Sequence, residues 1–261
     1  MGSLIVQVLA GIALIRGGAN VTRSYVIKKY LMRLVWSLGA IGFSGNVVAS
    51  EPLSAKDKAL IPIAAFAASG EISQLKSSLH QGLDAGLTIN ESKAILVQLY
   101  AYAGFPRSLN ALAALMTVLD ERKSQGIEDE LGRTSSPFPQ NQSSLEVGAR
   151  NQTKLVGSEV TGALFDFSPE IDTYLKAHLF GDIFQQDVLT WKQREIATIS
   201  ALANMQGVNG QLGAHYRISI NNDVSLAELD QFIRVLKVQC GDDVANNAQQ
   251  VLDATMTDKG E

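Results

Sequence analysis

Two stretches of this chain are copies of one helical template. Around Gln74 the sequence runs QLKSSLHQGLDAGLTINE, around Gln211 it runs QLGAHYRISINNDVSLAE, and the two glutamines stand 137 positions apart. The same spacing relates Gly70 to Gly207, Thr88 to Ser225, Glu91 to Glu228, Gly104 to Gly241 and Asn110 to Asn247. A constant offset that selects glycines and helix-capping residues marks a duplicated structural unit.

Each copy punctuates its helices in the same way. Ser54 is a candidate N-cap for a helix over Leu60 to Phe66 that stops at Gly70, with a kink or late start expected at Pro62. A second helix runs from about Ile72 to Ala85. Thr88 and Glu91 form a capping box for a third, whose apolar face is Ile95, Leu96, Leu99 and Tyr100, with Asn90, Lys93 and Gln98 expected on the surface. Gly104 and Pro106 end it, and a fourth helix follows from Arg107 or Ser108 to about Arg122. In the later copy, Thr190 with Gln193 and Ser225 with Glu228 are further capping boxes. No β-branched run alternates with polar residues, so the expected fold class is all-α.

The residues between and before the copies follow other rules. Lys123 to Gly157 is polar and reads as a long surface connection. Phe165 to Phe184 regains apolar content and is expected to pack as a helix against the second copy. At the start of the chain, Lys28, Lys29 and Arg33 precede the apolar run Leu34–Phe43, with small residues at Ala49 and Ser50. That order suits an export signal cleaved near Ala49 or Ser50, giving a periplasmic or secreted protein with no stable membrane span in its mature form. The alternative is a buried or loosely attached helix. The expected organisation is a signal segment over 1–50, domains over 51–122 and 158–261, and a linker over 123–157.

Composition excludes several classes of function. A formal charge of −4 without a basic stripe argues against nucleic acid as a partner. The single cysteine, Cys240, leaves no disulfide and no two-thiol redox centre. The three histidines occur at no metal-ligand spacing, so no metal is expected.

The stretch AHLFGDIFQQDVLTWKQREIATISALANMQGVNGQLGAHYRISINNDVS, with QLYAYAGFPRSLNAL in the earlier copy, resembles the carboxymuconolactone decarboxylase family, which is related to alkylhydroperoxidase D. The resemblance implies two tandem helical domains, assembled as a homo-oligomer, usually a trimer or hexamer. Peroxidases of this superfamily use a CxxC pair four residues before a histidine. Counting back from His215, the thiol positions here are Gln211 and Val208, and in the first copy Gln74 and Glu71. No thiol remains for peroxide reduction.

The decarboxylase branch needs no cofactor. Loss of carbon dioxide from a carboxylated unsaturated lactone leaves a dienolate, which needs charge stabilisation and a proton. The resemblance places Arg194, Glu195 and His215 as candidate catalytic groups. Arg107, His178 and Tyr100 are candidates for substrate binding. Tyr102 could line the same cavity or simply pack in the core. In the first copy Ser78 stands at the position of His215, and Asp57 and Lys58 at those of Arg194 and Glu195, so that copy reads as chemically blank. His80 is displaced by two residues, about 200° around a helix. The expected function is a carbon–carbon lyase acting on a small carboxylated lactone. The alternatives are a non-catalytic oligomeric binding module, or a cofactor-free isomerase or hydrolase on the same scaffold.

Overall fold

The computed structural model describes residues 53–257. The chain divides after Ala49, and the described residues all belong to the unit Ser50–Glu261. The export signal expected over 1–50 lies outside the described residues.

The first repeat contains α1 (Ala55–Ser69), α2 (Ile72–Asp84), α3 (Ile89–Gln98) and α4 (Tyr100–Ser124). The second contains α8 (Trp191–Ala203), α9 (Asn209–Asn221), α10 (Leu226–Cys240) and α11 (Asp242–Thr257). Helices α2 and α9, and α3 and α10, begin 137 positions apart, as the sequence offset requires. The backbone repeats as well: Gly70 and Gly207 have φ of 80° and 79°, and Gly104 and Gly241 have φ of 82° and 93°. These are left-handed conformations that a side chain disfavours, which is why glycine recurs at both places. Every described element is helical, and the fold is all-α.

Caps set the helix starts. Thr88, Thr190 and Ser225 each accept from the amide three residues on, and Glu91, Gln193 and Glu228 reach back to close capping boxes. Ser54 caps α1 by accepting from the Asp57 amide. Contrary to expectation, α1 runs unbroken through Pro62. The two repeats do not have separate cores. Leu60, Ile61 and Ile63 of α1 belong to one apolar cluster with Ile196, Ile199 and Leu202 of α8, and α1 packs along α8 at its centre.

Three expectations need correction. The connection over 123–157 contains α5 (Ser144–Val156), opened by a capping box of Ser143 and Glu146 that the polar composition concealed. The segment Phe165–Phe184 is not one helix. It forms α6 (Ala163–Phe167), α7 (Pro169–Tyr174) and a π-helix (Leu175–Ile183), and the π-helix packs chiefly against α5. The two approach so closely that a Cβ on Gly148 would lie 1.6 Å from the Lys176 carbonyl oxygen, and one on Gly181 would lie 2.3 Å from that of Ser144. Leu155, Leu179, Phe180, Ile183, Phe184 and Ile218 form a second apolar cluster there, with Tyr100 and Tyr102 packed against it. Finally, Gln98 is fully buried rather than on the surface.

Candidate active site

The most chemically loaded point of the molecule is where α8 meets α9. Thr190 fixes the start of α8, which places Glu195 one turn in and facing α9. There Glu195 Oε2 lies 2.8 Å from His215 Nδ1. Glu195 is 0% exposed and His215 9%, so the imidazole is the part of the pair that solvent reaches. The second carboxyl oxygen, Oε1, is buried and has no hydrogen-bond partner among the described residues. A buried acceptor without a donor is costly and uncommon, and such groups concentrate where a ligand or catalytic step uses them. With Nδ1 engaged by Glu195, Nε2 is the imidazole nitrogen available for proton exchange.

Arg194 is adjacent in sequence but points elsewhere, because neighbouring residues on an α-helix diverge by about 100°. Its guanidinium donates from Nη1 to Gln98 Oε1 at 2.8 Å and from Nη2 to the Gln186 carbonyl at 2.6 Å, and it lies over the Phe184 ring. Gln98 completes the clamp by donating from Nε2 to the Arg194 carbonyl and to Thr198 Oγ1. Burial pushes the Arg194 guanidinium down to about 10, partly countered by Tyr102 and Asp187, so it still carries its charge at neutral pH. Arg194 is thus a buried cation held between the repeats, and its Nε has no partner among the described residues.

The first repeat therefore supplies Gln98, and it also supplies Tyr102. The Tyr102 ring meets the His215 ring edge-on, with centroids 5.5 Å apart. Its hydroxyl is buried and makes no hydrogen bond of good geometry among the described residues, although Thr198 lies close enough to act on it. Burial, and then the charge of Glu195, push this phenol above its ordinary range, outweighing the opposing effects of Thr198 and Arg194. The sequence signal for both residues was their place near the end of the third helix, beside the Gly104 break. Nothing local distinguished them from packing residues.

The candidate binding residues are dispersed. Tyr100 stacks on Phe105 at 4.4 Å and lies 5.4 Å from the His178 ring, and its buried hydroxyl is also unpartnered among the described residues. His178 is exposed on the π-helix and pairs with Asp182 at 2.7 Å. Arg107 is exposed and lies across Gly70, where a Cβ would come within 1.4 Å of its Nη1. No hydrogen bond or ion pair among the described residues joins Arg107 or His178 to Glu195 or His215.

At the corresponding positions of the first repeat, Asp57 accepts from Ser54 and from Gln193, Lys58 is half-buried, and Ser78 is buried. His80 pairs with Glu121 at 3.3 Å. Burial, and then the charge of Glu71, push the Cys240 thiol up to about 12. It stays protonated and unreactive at neutral pH. Among the described residues, no three His, Cys, Asp or Glu side chains are grouped to hold a metal ion.

The sequence model of the Carboxymuconolactone decarboxylase family matches residues 39–116 and 169–254, more than half of the chain and one segment in each repeat. The first match begins inside the segment read as an export signal. No curated protein matches the chain.

Proposed function

The chain belongs to the carboxymuconolactone decarboxylase family, and from that premise we propose that it is a cofactor-free carbon–carbon lyase acting on a small carboxylated lactone. The observation that carries this reading is the buried Glu195–His215 pair, 2.8 Å apart, with one carboxyl oxygen and one imidazole nitrogen left for chemistry. In the proposed reaction the bond from the lactone to its carboxylate breaks and carbon dioxide leaves. The electron pair passes into the lactone carbonyl as a dienolate. His215, protonated on Nε2, returns a proton to carbon, and solvent restores it. Glu195 holds the imidazolium by its charge and fixes the ring through Nδ1. Arg194 contributes a buried positive charge from within the protein rather than a direct grip on the substrate.

The test is turnover of 4-carboxymuconolactone, followed by loss of ultraviolet absorbance or release of carbon dioxide. His215→Ala and Glu195→Ala are expected to lower kcat by about 10²–10⁴, the usual contribution of positioned acid–base groups. Unchanged turnover in both variants would refute the lyase reading.

Two further features belong to this proposal. The protein assembles as a homo-oligomer, supported by the exposed stripe of Phe105, Leu109 and Met116 along α4, each more than half exposed. Light scattering on the purified protein tests it. The protein is exported with cleavage near Ala49 or Ser50, supported by the charged and apolar order of residues 28–50. The intact mass of the mature chain tests that, and a retained segment from residue 39 onward would count against it.

A further inference from the structure

We infer that Tyr102, from the repeat that looked chemically blank, is a catalytic residue of the Glu195–His215 site, its phenol donating a hydrogen bond to the oxyanion that forms on the substrate. The inference rests on the lyase reading and deepens it, because it specifies a substrate with a carbonyl oxygen that becomes an enolate.

The geometry comes first. The Tyr102 ring packs edge-on against His215, and its hydroxyl lies near enough to Glu195 to feel that charge. That hydroxyl is shielded from solvent and makes no hydrogen bond of good geometry among the described residues, Thr198 being a neighbour that acts on it only weakly against burial and the charge of Glu195. Glu195 Oε1 is shielded and unpartnered in the same way, yet it does not accept from Tyr102. A buried donor and a buried acceptor beside one imidazole, neither bonded to the other, can each be satisfied by a third polar group. Folding stability does not explain two such omissions, since each leaves a desolvation cost uncompensated.

The chemistry identifies the group that fits. Burial and the negative charge of Glu195 keep the phenol protonated, so it acts as a donor. A donor fixed in a water-poor site stabilises charge that develops on an oxygen more than it stabilises a neutral carbonyl, which is the requirement for transition-state stabilisation. A permanent carboxylate at this place is disfavoured by Glu195, and an oxyanion is held there only as far as the bond from Tyr102 offsets that repulsion. An oxygen that gains charge only as carbon dioxide departs is repelled least in the ground state. The lactone carbonyl oxygen therefore faces Tyr102, and the carbon to be protonated faces His215 Nε2. The backbone at Tyr102 differs from its counterpart: the helix is interrupted at Leu99 and Tyr102 lies on the single turn before Gly104, whereas the equivalent residues 236–240 continue α10 without a break.

Tyr102→Phe keeps the ring against His215 and removes only the hydroxyl. Its kcat on 4-carboxymuconolactone is expected to fall about 10²–10³, as for loss of one oxyanion donor, with KM changed less than about threefold. Its Tm should stay level or rise, because an unpartnered buried hydroxyl is lost. A lowered Tm together with unchanged kcat would assign the hydroxyl a structural bond and overturn the inference. Normal turnover in Tyr102→Phe alongside inactive His215→Ala would overturn it while leaving the lyase reading intact. If neither His215→Ala nor Glu195→Ala affects turnover, the lyase reading fails, and binding of 4-nitrophenolate, followed by absorbance, decides Tyr102 separately. Wild type should bind this planar oxyanion at least about 10-fold more tightly than Tyr102→Phe. Equal affinity, or no binding by the wild type, overturns the assignment.

Discussion

Glu195 and Lys58 occupy equivalent places in the two repeats, yet their surroundings differ as much as their charges. Around Glu195 the repeat partner contributes Gln98 and Tyr102, and the layer of α5 and the π-helix packs against that region. The equivalents of Gln98 and Tyr102 beside Lys58 are Val235 and Gln239, and they line an open groove of about 330 Å³ together with Gln231, Arg234 and Val238. The same helix arrangement thus gives a largely buried polar site around Glu195 and a solvated groove around Lys58. A cover of apolar side chains is what makes the difference. Once water is excluded, a carboxylate and an imidazole interact through a low dielectric and can be held in one geometry. A lysine in an open groove needs no such partner, because water solvates it.

This contrast can be broken most directly by mutating both places. Lys58→Ala and Ser78→Ala should leave lactone turnover within about twofold of wild type, against the 10²–10⁴ loss for Glu195→Ala and His215→Ala. A comparable loss from the first-repeat variants would mean that both places are active.

A second comparison concerns stability. Gln98→Ala removes hydrogen bonds from a buried guanidinium and should cost about 2–3 kcal/mol by urea denaturation. Val235→Ala, at the half-buried equivalent position, should cost about 1 kcal/mol or less. Equal costs would show that Gln98 acts through packing rather than by clamping Arg194.

The equivalent capping carboxylates give a smaller, pH-dependent effect. Burial raises the pKa of Glu91 and of Glu228, but bonds from Lys56 and Thr88 to the first, and from Lys192 and Ser225 to the second, leave both below the ordinary value. A carboxyl whose folded pKa is depressed stabilises fully above its unfolded pKa of about 4.3, and that stability is lost as pH falls through the folded value. Glu91→Gln and Glu228→Gln should each flatten the acid limb of Tm against pH below about pH 4.5 by similar amounts. An unchanged acid limb in either variant would separate the two caps. The smallest effect belongs to Cys240. With its thiol pushed up to about 12, it should resist iodoacetamide at pH 8, and Cys240→Ser should not alter turnover.

Local chemistry made much of the fold legible. Capping boxes, the Gly70 and Gly104 breaks and their repetition 137 positions later act within one turn of chain, so their residue types report them directly. The Ser143–Glu146 box was equally local but lay within a polar stretch, where composition outweighed the motif. Family order grouped Arg194, Glu195 and His215, and of these only Glu195 and His215 meet. The roles of Gln98 and Tyr102 did not, because a buried glutamine and a surface one are the same letter until a partner is known.

From the chain alone came the all-α duplication, the family and the loss of the peroxidase thiols, because each is written in residue identity and short-range spacing. Only the tertiary structure could show that Arg194 turns into the interior while Glu195 faces His215, and that the first repeat sends Gln98 and Tyr102 across to them. Those facts depend on which helix faces pack together and on what shields them from water. Where the two repeats meet, both are set by contacts between residues about a hundred positions apart.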